Sequence, residues 1–428
     1  MLRPSAQVAT IILAGGQGTR LYPLTLNHCK PAVSYGGRYK LIDVPISNSL
    51  NSDFRQIFIL AQHLSTELQH HINQTYHFDP YHPGSIDVLT PERTSDGEVN
   101  WFTGSADAVR KSLPHLLRST ADYFLILCGD QLYNINFQGM LEFSIEKDAD
   151  VTIAALPVRE KEALRMGLLQ IDTQDKIHIF HEKPGLEEIS PFVLSKTFYE
   201  KRGVKEPGPC HFLGSMGIYI FKRDALISLL REDPGDDFGK HILYTATRSR
   251  NVFAFIYDGY WEDIGTVASY YEANLILTHS DQGLNTYDER NPIYTRPSYL
   301  PGPKIQSTKI VQSIICEGCI IEAAEIIHSI IGVRSHIKKG TIIKDSVLMG
   351  NHFYMPPLHD DKPIAHDFWI GENCLIEKAI IDEHVRIGNN VRLVNKDGKT
   401  NYDGDKIFIR DGIIIVTAGA NIPDNFTL

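Results

Sequence analysis

The feature that most constrains this chain is a six-residue rhythm of branched aliphatic side chains in its last third. Ile314, Ile320 and Ile326 are followed by Ile331, Ile337 and Ile343. After an irregular stretch, Ile370 and Ile376 lead to Ile381, Ile387 and Leu393, with the same one-residue slip in both blocks. Glycines fall in the turns, at Gly318, Gly340, Gly371 and Gly388. Such a period matches a hexapeptide-type parallel β-helix, with three short flat faces per coil and an aliphatic residue pointing inward from each. A β-sandwich would need the spacing to be coincidental, and the repeated slip argues against that. The segment Asn351–Ala365 contains Pro356-Pro357 and Asp360-Asp361. It breaks the period and reads as a surface loop excluded from the coil.

The first three-fifths follow a different grammar. β-rich apolar runs at Val8–Leu13, Gln56–Ala61, Tyr123–Cys128, Val151–Pro157, Gly214–Phe221 and Val252–Tyr257 alternate with helix-like stretches such as Thr66–Tyr76 and Ala106–Leu117. Alternation of this kind predicts a Rossmann-like, mainly parallel sheet with helices on both faces, whose ligands sit beyond the carboxyl ends of the strands. The expected organisation is an α/β domain over 1–280, a linker over 281–303 rich in Asn, Pro, Asp and Arg, and the β-helix over 304–428.

The first apolar run stops at Gly15-Gly16-Gln17-Gly18-Thr19-Arg20, followed by Lys30-Pro31. Glycines let backbone N–H groups approach an anion, and Arg20 and Lys30 add the positive charge that amides lack. No Gly-Lys-Ser/Thr closes the turn, so it is not a P-loop, and the dinucleotide G-x-G-x-x-G spacing is absent. Two aspartates stand out further along. Asp130 ends the run Leu125–Cys128-Gly129 and suits a divalent cation or a turn cap. Asp263, in Trp261-Glu262-Asp263-Ile264-Gly265-Thr266, suits a cation or a helix N-cap. Gly104, Ser105, Ala106 and Asp107 open a helix where backbone can approach a flat ring. Gln62 follows a strand, and its amide can both donate to and accept from a base edge. Lys183 suits a phosphate, and the carboxylates Glu182 and Asp237 suit sugar hydroxyls.

These motifs resemble the sugar-nucleotide pyrophosphorylase family over nearly the whole chain, from about Val8 onward. Within it, the wording is closest to the branch that makes ADP-glucose. The resemblance implies transfer of the adenylyl group of ATP to α-D-glucose 1-phosphate, with release of pyrophosphate. ADP-glucose is the glucosyl donor for glycogen- or starch-type glucans. Carried onto this chain, Arg20, Lys30 and Asp130 are catalytic. Leu13, Ala14, Gly15, Gly16, Gly18, Thr19, Gln62, Gly104, Ser105, Ala106 and Asp107 bind the nucleotide. Phe102, Gly167, Glu182, Lys183, Ser215, Asp237 and Phe238 bind glucose 1-phosphate, and Asp130 with Asp263 binds Mg2+. Ser105 replaces the family's usual Thr and keeps the hydroxyl. A homotetramer, a cytoplasmic location and a small anionic effector are also implied. The effector positions depart from the pattern: Asn27, His28 and Ala418 stand where relatives carry basic residues, while Lys396 is kept. Weak or altered activation is the expected consequence, with His28 able to regain charge on mild acidification.

Composition closes off other classes. Of 428 residues, 43% are hydrophobic and 22% charged, as in a soluble globular protein. A net charge of −10 argues against a general nucleic-acid or anionic-membrane surface, so any anion site is a local basic pocket. The opening Met1–Ala6 has no apolar h-region, so a secretory signal is not expected, and no apolar run is long enough for a membrane span. The six cysteines are scattered, and the lone Cys316-x-x-Cys319 has no second pair for zinc, so reduced thiols are expected. Three rivals stand beside the main reading: use of UTP, GTP or dTTP, a non-catalytic regulatory subunit, and an acyltransferase. The presence of Arg20, Lys30, Asp130 and Lys183 argues against the second. Against the third, the coil offers only His328 and His336, both of which read as turn residues.

Overall fold

The computed structural model describes residues 7–81, 83–92, 99–202, 211–354 and 368–428. Its amino-terminal part is built on β1 (Val8–Ala14). Along β1, Ala9 and Ile11 face one side with Phe58 and Leu60, while Ile12 and Ala14 face the other with Ile57 and Ile59. Burial on both faces is why these strands read as continuous apolar runs. Strands β2 (Gln56–Ala61), β3 (Ser85–Leu89) and β4 (Tyr123–Cys128) run parallel to β1 in the order β3-β2-β1-β4.

A short strand, β5 (Gln131–Tyr133), leaves the sheet, which resumes in β6 (Val151–Val158). Strands β7 (Gly167–Ile171) and β8 (Ile177–Glu182) form an antiparallel pair at one edge. The long β9 (Phe212–Lys222) runs antiparallel to β4, β6 and β7, and β10 (Val252–Ile256) pairs parallel with β6. The sheet of nine strands is therefore mainly parallel, as the alternation predicts, with β9 and the β7–β8 pair as the antiparallel additions. Helices α1 (Asp43–Asn51) and α2 (Ser65–Thr75) cover one face, and α3 (Ser105–Leu116) covers the other.

From residue 279 to 303 there is neither helix nor strand. Beyond lies the β-helix, with three stacks of parallel pairs. One inward row runs Ile310, Ile326, Ile343, Ile376 and Leu393. A second runs Ile315, Ile331, Leu348, Ile381 and Val416. A third passes through Ile321, Ile337, Ile370 and Ile387. The phase differs from the sequence reading at two places. Ile315 and Ile321 point inward rather than Ile314 and Ile320, and Ile314 packs toward the catalytic side. The reason is that corners between faces take five residues as well as six, so a strict period of six drifts. Most of the segment expected to loop out, 355–365, lies outside the described residues. The coil nonetheless closes across it, Ile337 bridging Ile370. A second excursion was not anticipated: a hairpin at Tyr402–Asp403 and Ile407–Arg410 adds two antiparallel strands beside Ile413–Val416.

The two parts share a core. Leu21, Val33, Tyr35 and Tyr270 pack with Ile330, Val347, Phe408 and Ile415. Polar contacts cross the same seam: Arg38 to Glu317 at 3.0 Å, Lys40 to Glu383 at 2.9 Å, and the Tyr271 hydroxyl donating to the Asp345 carbonyl at 2.6 Å. No described helix is long and apolar enough to cross a membrane.

Candidate active site

Strands β1, β2 and β4 stop level, with Leu13 opposite Cys128 and Ala14 opposite Ala61. Their carboxyl ends deliver the glycine bend, Gln62 and Gly129-Asp130 to one edge of the sheet. Gly18 has φ 65°, and a Cβ there would meet Thr25 Cγ2 at 2.8 Å and Lys30 Cβ at 3.2 Å. Only glycine fits both the left-handed backbone and the space. The Thr25 hydroxyl fixes the bend by donating to the Gly18 carbonyl at 2.9 Å.

The buried Lys30 forms an ion pair with Asp130. Asp263 arrives from β11 (Trp261–Asp263), which pairs antiparallel with β5. That ladder sets Asp263 opposite Gln131, so Asp130 stands beside it, and Ile264 N–H donates to the Asp130 carbonyl at 3.2 Å. Asp263 lies at the exposed rim, yet the groups below govern its titration. Desolvation first, then the Asp130 charge, raise it, while Lys30, Arg20 and Lys183 pull it back. The Arg20 guanidinium lies 3.7 Å from where a Cβ on Gly265 would stand, beside Asp263, and makes no hydrogen bond or ion pair among the described residues. Four residues far apart in sequence, Arg20, Lys30, Asp130 and Asp263, thus share one cleft. Residues 9–280 match the nucleotidyl transferase family, and residues 298–427 match the GLGC left-handed parallel β-helix domain. The chain belongs to the nucleotidyl transferase family. The order of the two matched regions places it among the sugar-nucleotide pyrophosphorylases.

In this nucleotidyl transferase a cavity of about 410 Å3, within the range of small-ligand sites, opens beside the glycine bend. Leu13, Gly15, Gly16, Gln62, Phe102, Gly104 and Ser105 line it. Gln62 does not present a free amide there. Its Oε1 accepts from Phe102 N–H at 2.6 Å and its Nε2 donates to the Phe102 carbonyl at 3.3 Å, so it holds the opposite wall. Ala106, in the first turn of α3, is fully buried, and Ala108 lines the cavity in its place. Asp107 is spent on Thr103 N–H at 3.0 Å and Lys111 at 2.8 Å. Burial works against ionisation there, but those contacts hold its carboxyl below the usual range. Thr19 and Arg20 face an adjoining cavity of about 700 Å3, shared with Tyr22, His63 and Arg410.

Of the residues expected to bind glucose 1-phosphate, Gly167 and Glu182 stand opposite each other on the β7–β8 pair. Glu182 Oε2 lies 2.6 Å from where a Cβ on Gly239 would be, so two glycines cradle this carboxylate. Burial pushes Glu182 up, with Lys183 opposing and Asp237 adding. Lys183 adopts φ 49°, a conformation that strains a non-glycine residue and is kept where surroundings impose it. Its mostly exposed ammonium reaches to 3.4 Å from Glu182. Ser215 is buried just before a register break in β9. Asp237 accepts from the Ser105 hydroxyl at 3.2 Å, and that hydroxyl accepts from Phe238 N–H at 3.0 Å. The start of α3 and the Asp237–Phe238 segment are thereby hydrogen-bonded together across the cleft. Phe238 itself turns into the core against Tyr219 and Phe221, so its side chain does not face the cleft.

Some site features escaped the sequence reading. Glu262 adjoins Asp263, and burial followed by the Asp263 charge pushes it up to about 7; its place in the Trp-Glu-Asp run was the available signal. His63 follows Gln62 directly and lines both cavities. Arg410 had no local signal at all. The carboxylates of Asp130 and Asp263 fit a divalent cation on the structure's own terms: two acidic groups are held side by side, and the Asp130 charge raises the cost of ionising Asp263.

The positions at which the sequence departs from the expected basic pattern are also visible. Asn27 is exposed, and His28 pairs with Glu67. Burial lowers the His28 imidazole, but the Glu67 hydrogen bond and charge, with Glu383 and Asp382 behind, raise it overall. Its ring nitrogen is therefore committed to a carboxylate. His328 sits in a turn at φ 45° and contacts Asp345 at 2.6 Å. His336 lies in a strand, not in a turn as expected. The cysteines among the described residues are free thiols, and Cys316 and Cys319 are buried against the coil.

Proposed function

We propose that this nucleotidyl transferase makes ADP-glucose and pyrophosphate from ATP and α-D-glucose 1-phosphate. The observation that carries the reading is the convergence of Arg20, Lys30, Asp130, Asp263 and Lys183 around one cleft. The hexose phosphate oxygen attacks the α-phosphorus of ATP, and pyrophosphate leaves in line. An ionised phosphate is its own nucleophile, so no protein base is required, and catalysis rests on positioning and charge. Arg20 and the backbone of Gly15, Gly16, Gly18 and Thr19 hold the leaving pyrophosphate. Lys30 stabilises charge on the transferring phosphoryl. Lys183 holds the hexose phosphate, and Glu182 and Asp237 take its hydroxyls. Asp130 and Asp263 are the residues that would hold Mg2+, which when bound neutralises phosphate oxygens.

The same reading divides the chain into a catalytic domain over 1–280, a linker over 281–303 and the β-helix over 304–428. It supplies a glucosyl donor for glycogen- or starch-type glucans, in a cytoplasmic homotetramer. It also makes effector control by small anions weak, because Asn27 and Ala418 are uncharged and His28 is committed to Glu67. Pyrophosphate release with glucose 1-phosphate and each of ATP, UTP, GTP and dTTP, with and without Mg2+, tests it. Mg2+-dependent release with ATP is expected. Release with another nucleotide alone would change the substrate, and none with any nucleotide would sink the enzyme assignment.

A further inference from the structure

Where the β-helix meets the catalytic part, two buried carboxylates stand next to each other. Asp382 and Glu383 are both almost wholly inaccessible. Asp382 accepts backbone N–H groups from Glu383 at 2.7 Å and Ala418 at 3.2 Å, and no ion pair engages it among the described residues. Glu383 Oε1 takes the Lys40 ammonium at 2.9 Å and the Ser34 hydroxyl. Of these two adjacent acids Glu383 takes the ammonium directly, and the His28 imidazole feels the charge of both. The other Glu383 oxygen, Oε2, is turned to His352 Nε2 at 3.5 Å. His384 completes the group. Its Nε2 faces His352 Nδ1 nitrogen to nitrogen at 3.3 Å, and its Nδ1 is buried without a hydrogen-bond partner. Phe353 stacks on the His384 ring at 6.0 Å and Phe368 tilts against it at 4.8 Å, forming an apolar wall.

We propose that His352, Glu383 and His384 form a binding site for a transition-metal dication, with Zn2+ as its representative. A tetrahedral ion with nitrogen ligands at about 2.0–2.1 Å keeps neighbouring donors about 3.3 Å apart, the separation of His384 Nε2 from His352 Nδ1 here; Glu383 Oε2, which now faces the other His352 nitrogen, joins that ion by rotation. One donor atom from each of the three residues lies within 4.8 Å of the others, a spacing that small side-chain rotations close onto one ion. Two imidazoles with one carboxylate suit Zn2+, Co2+ or Ni2+ and disfavour Mg2+, which prefers all-oxygen surroundings. Lys40 and Ser34, grasping the far oxygen of Glu383, supply the outer-sphere support such ligands need. A neighbouring group, His28, Glu67 and Glu383, also has ligand spacing, but Lys40 already lies 3.6 Å from Glu67 and 2.9 Å from Glu383 and fills that space. The proposal is independent of the nucleotide the enzyme uses. Because Glu383 ties the β-helix to Lys40, the bound ion would reinforce the seam between the two parts of the chain.

The test is calorimetric titration of the full-length, chelator-stripped protein with Zn2+ in the presence of millimolar Mg2+, which occupies all-oxygen sites. One equivalent per chain is expected, together with a rise in melting temperature and, with Co2+ as substitute, the visible absorption of a four-coordinate nitrogen–oxygen site. His352→Ala is at an exposed position, so the fold is expected to survive it. His384→Asn keeps a residue that tolerates φ 59°. Each is expected to weaken Zn2+ on the order of 100-fold or more, the upper end of what loss of even an outer-sphere partner costs. Asp263→Asn is expected to leave it unchanged. Zn2+ binding that survives both imidazole substitutions, that Mg2+ abolishes, or that never appears overturns the site.

Discussion

The sheet edge and the coil spend their residues in opposite ways. In the cleft, Arg20 makes no ion pair among the described residues, Lys183 is strained and largely exposed, and Asp263 is held against its neighbour's charge. None of these choices favours folding, and all favour binding a charged ligand. In the coil, Ile326, Ile337, Ile343 and Ile376 are fully buried, stacked on near-identical residues above and below. None has a reactive atom. Stability and chemistry are therefore carried by different parts of the chain, and substitutions should separate them.

The largest effect is expected in the coil. Ile326→Ala removes a fully buried side chain between Ile310 and Ile343 and leaves a cavity. A loss of about 2–5 kcal/mol is expected in denaturant unfolding, with kcat of the folded enzyme unchanged. A comparable fall in kcat would show that the coil shapes the cleft directly.

Arg20→Ala is the converse. Turnover should fall by about 10²–10³, or about 2.7–4 kcal/mol of transition-state stabilisation, while the melting temperature stays put. Near-normal turnover would remove Arg20 from the chemistry and, with it, the strongest contrast between the two regions.

The same division governs how far the sequence could be read. Strand positions Gln56–Ala61 and Tyr123–Cys128 were legible because burial on both faces leaves an unbroken apolar run. The β7–β8 pair was not, since Gln170, His178 and His181 interrupt its apolar pattern. The coil was legible as a repeat but not in phase, because five- and six-residue corners mix. In the cleft, Asp130 and Asp263 come together because Asp130 directly precedes β5, Asp263 ends β11, and those two short strands pair. The roles of side chains were harder. Gln62, Asp107 and Phe238 carry plausible ligand chemistry, yet each is committed to the protein's own backbone, ion pairs or core. A sequence lists donors and acceptors without saying which are already used.

A smaller change tests the sugar side. Lys183→Gln keeps a hydrogen-bonding group, one atom shorter, and removes the charge at a mostly exposed position, so the fold should be unaffected. A charge-assisted contact is worth about 1.5–3 kcal/mol, so KM for glucose 1-phosphate should rise roughly ten- to hundred-fold, with KM for the nucleotide little changed. An equal rise in both would place Lys183 on the shared phosphate path instead.

The smallest expected effect lies where the two regions touch. Arg410, on the hairpin inserted into the coil, stands at the wall of the cavity that holds Arg20. It is not free to meet a ligand. Its guanidinium pairs with Asp403 at 2.5 Å, donates to the carbonyls of Tyr402 and Ile409, and lies 5.8 Å from the Tyr22 ring and 5.7 Å from Phe408, which meet edge to face. Its contribution to the cleft is indirect, through Tyr22 two residues after Arg20. Arg410→Ala should therefore cost about 0.5–1 kcal/mol, the scale of one exposed cation–aromatic contact. That energy corresponds to a rise of about two- to five-fold in KM for the nucleotide, with kcat unchanged. A fall in kcat on the scale of Arg20→Ala would mean that the coil lends a working charge to the cleft, and the separation drawn between the two regions would fail at that point.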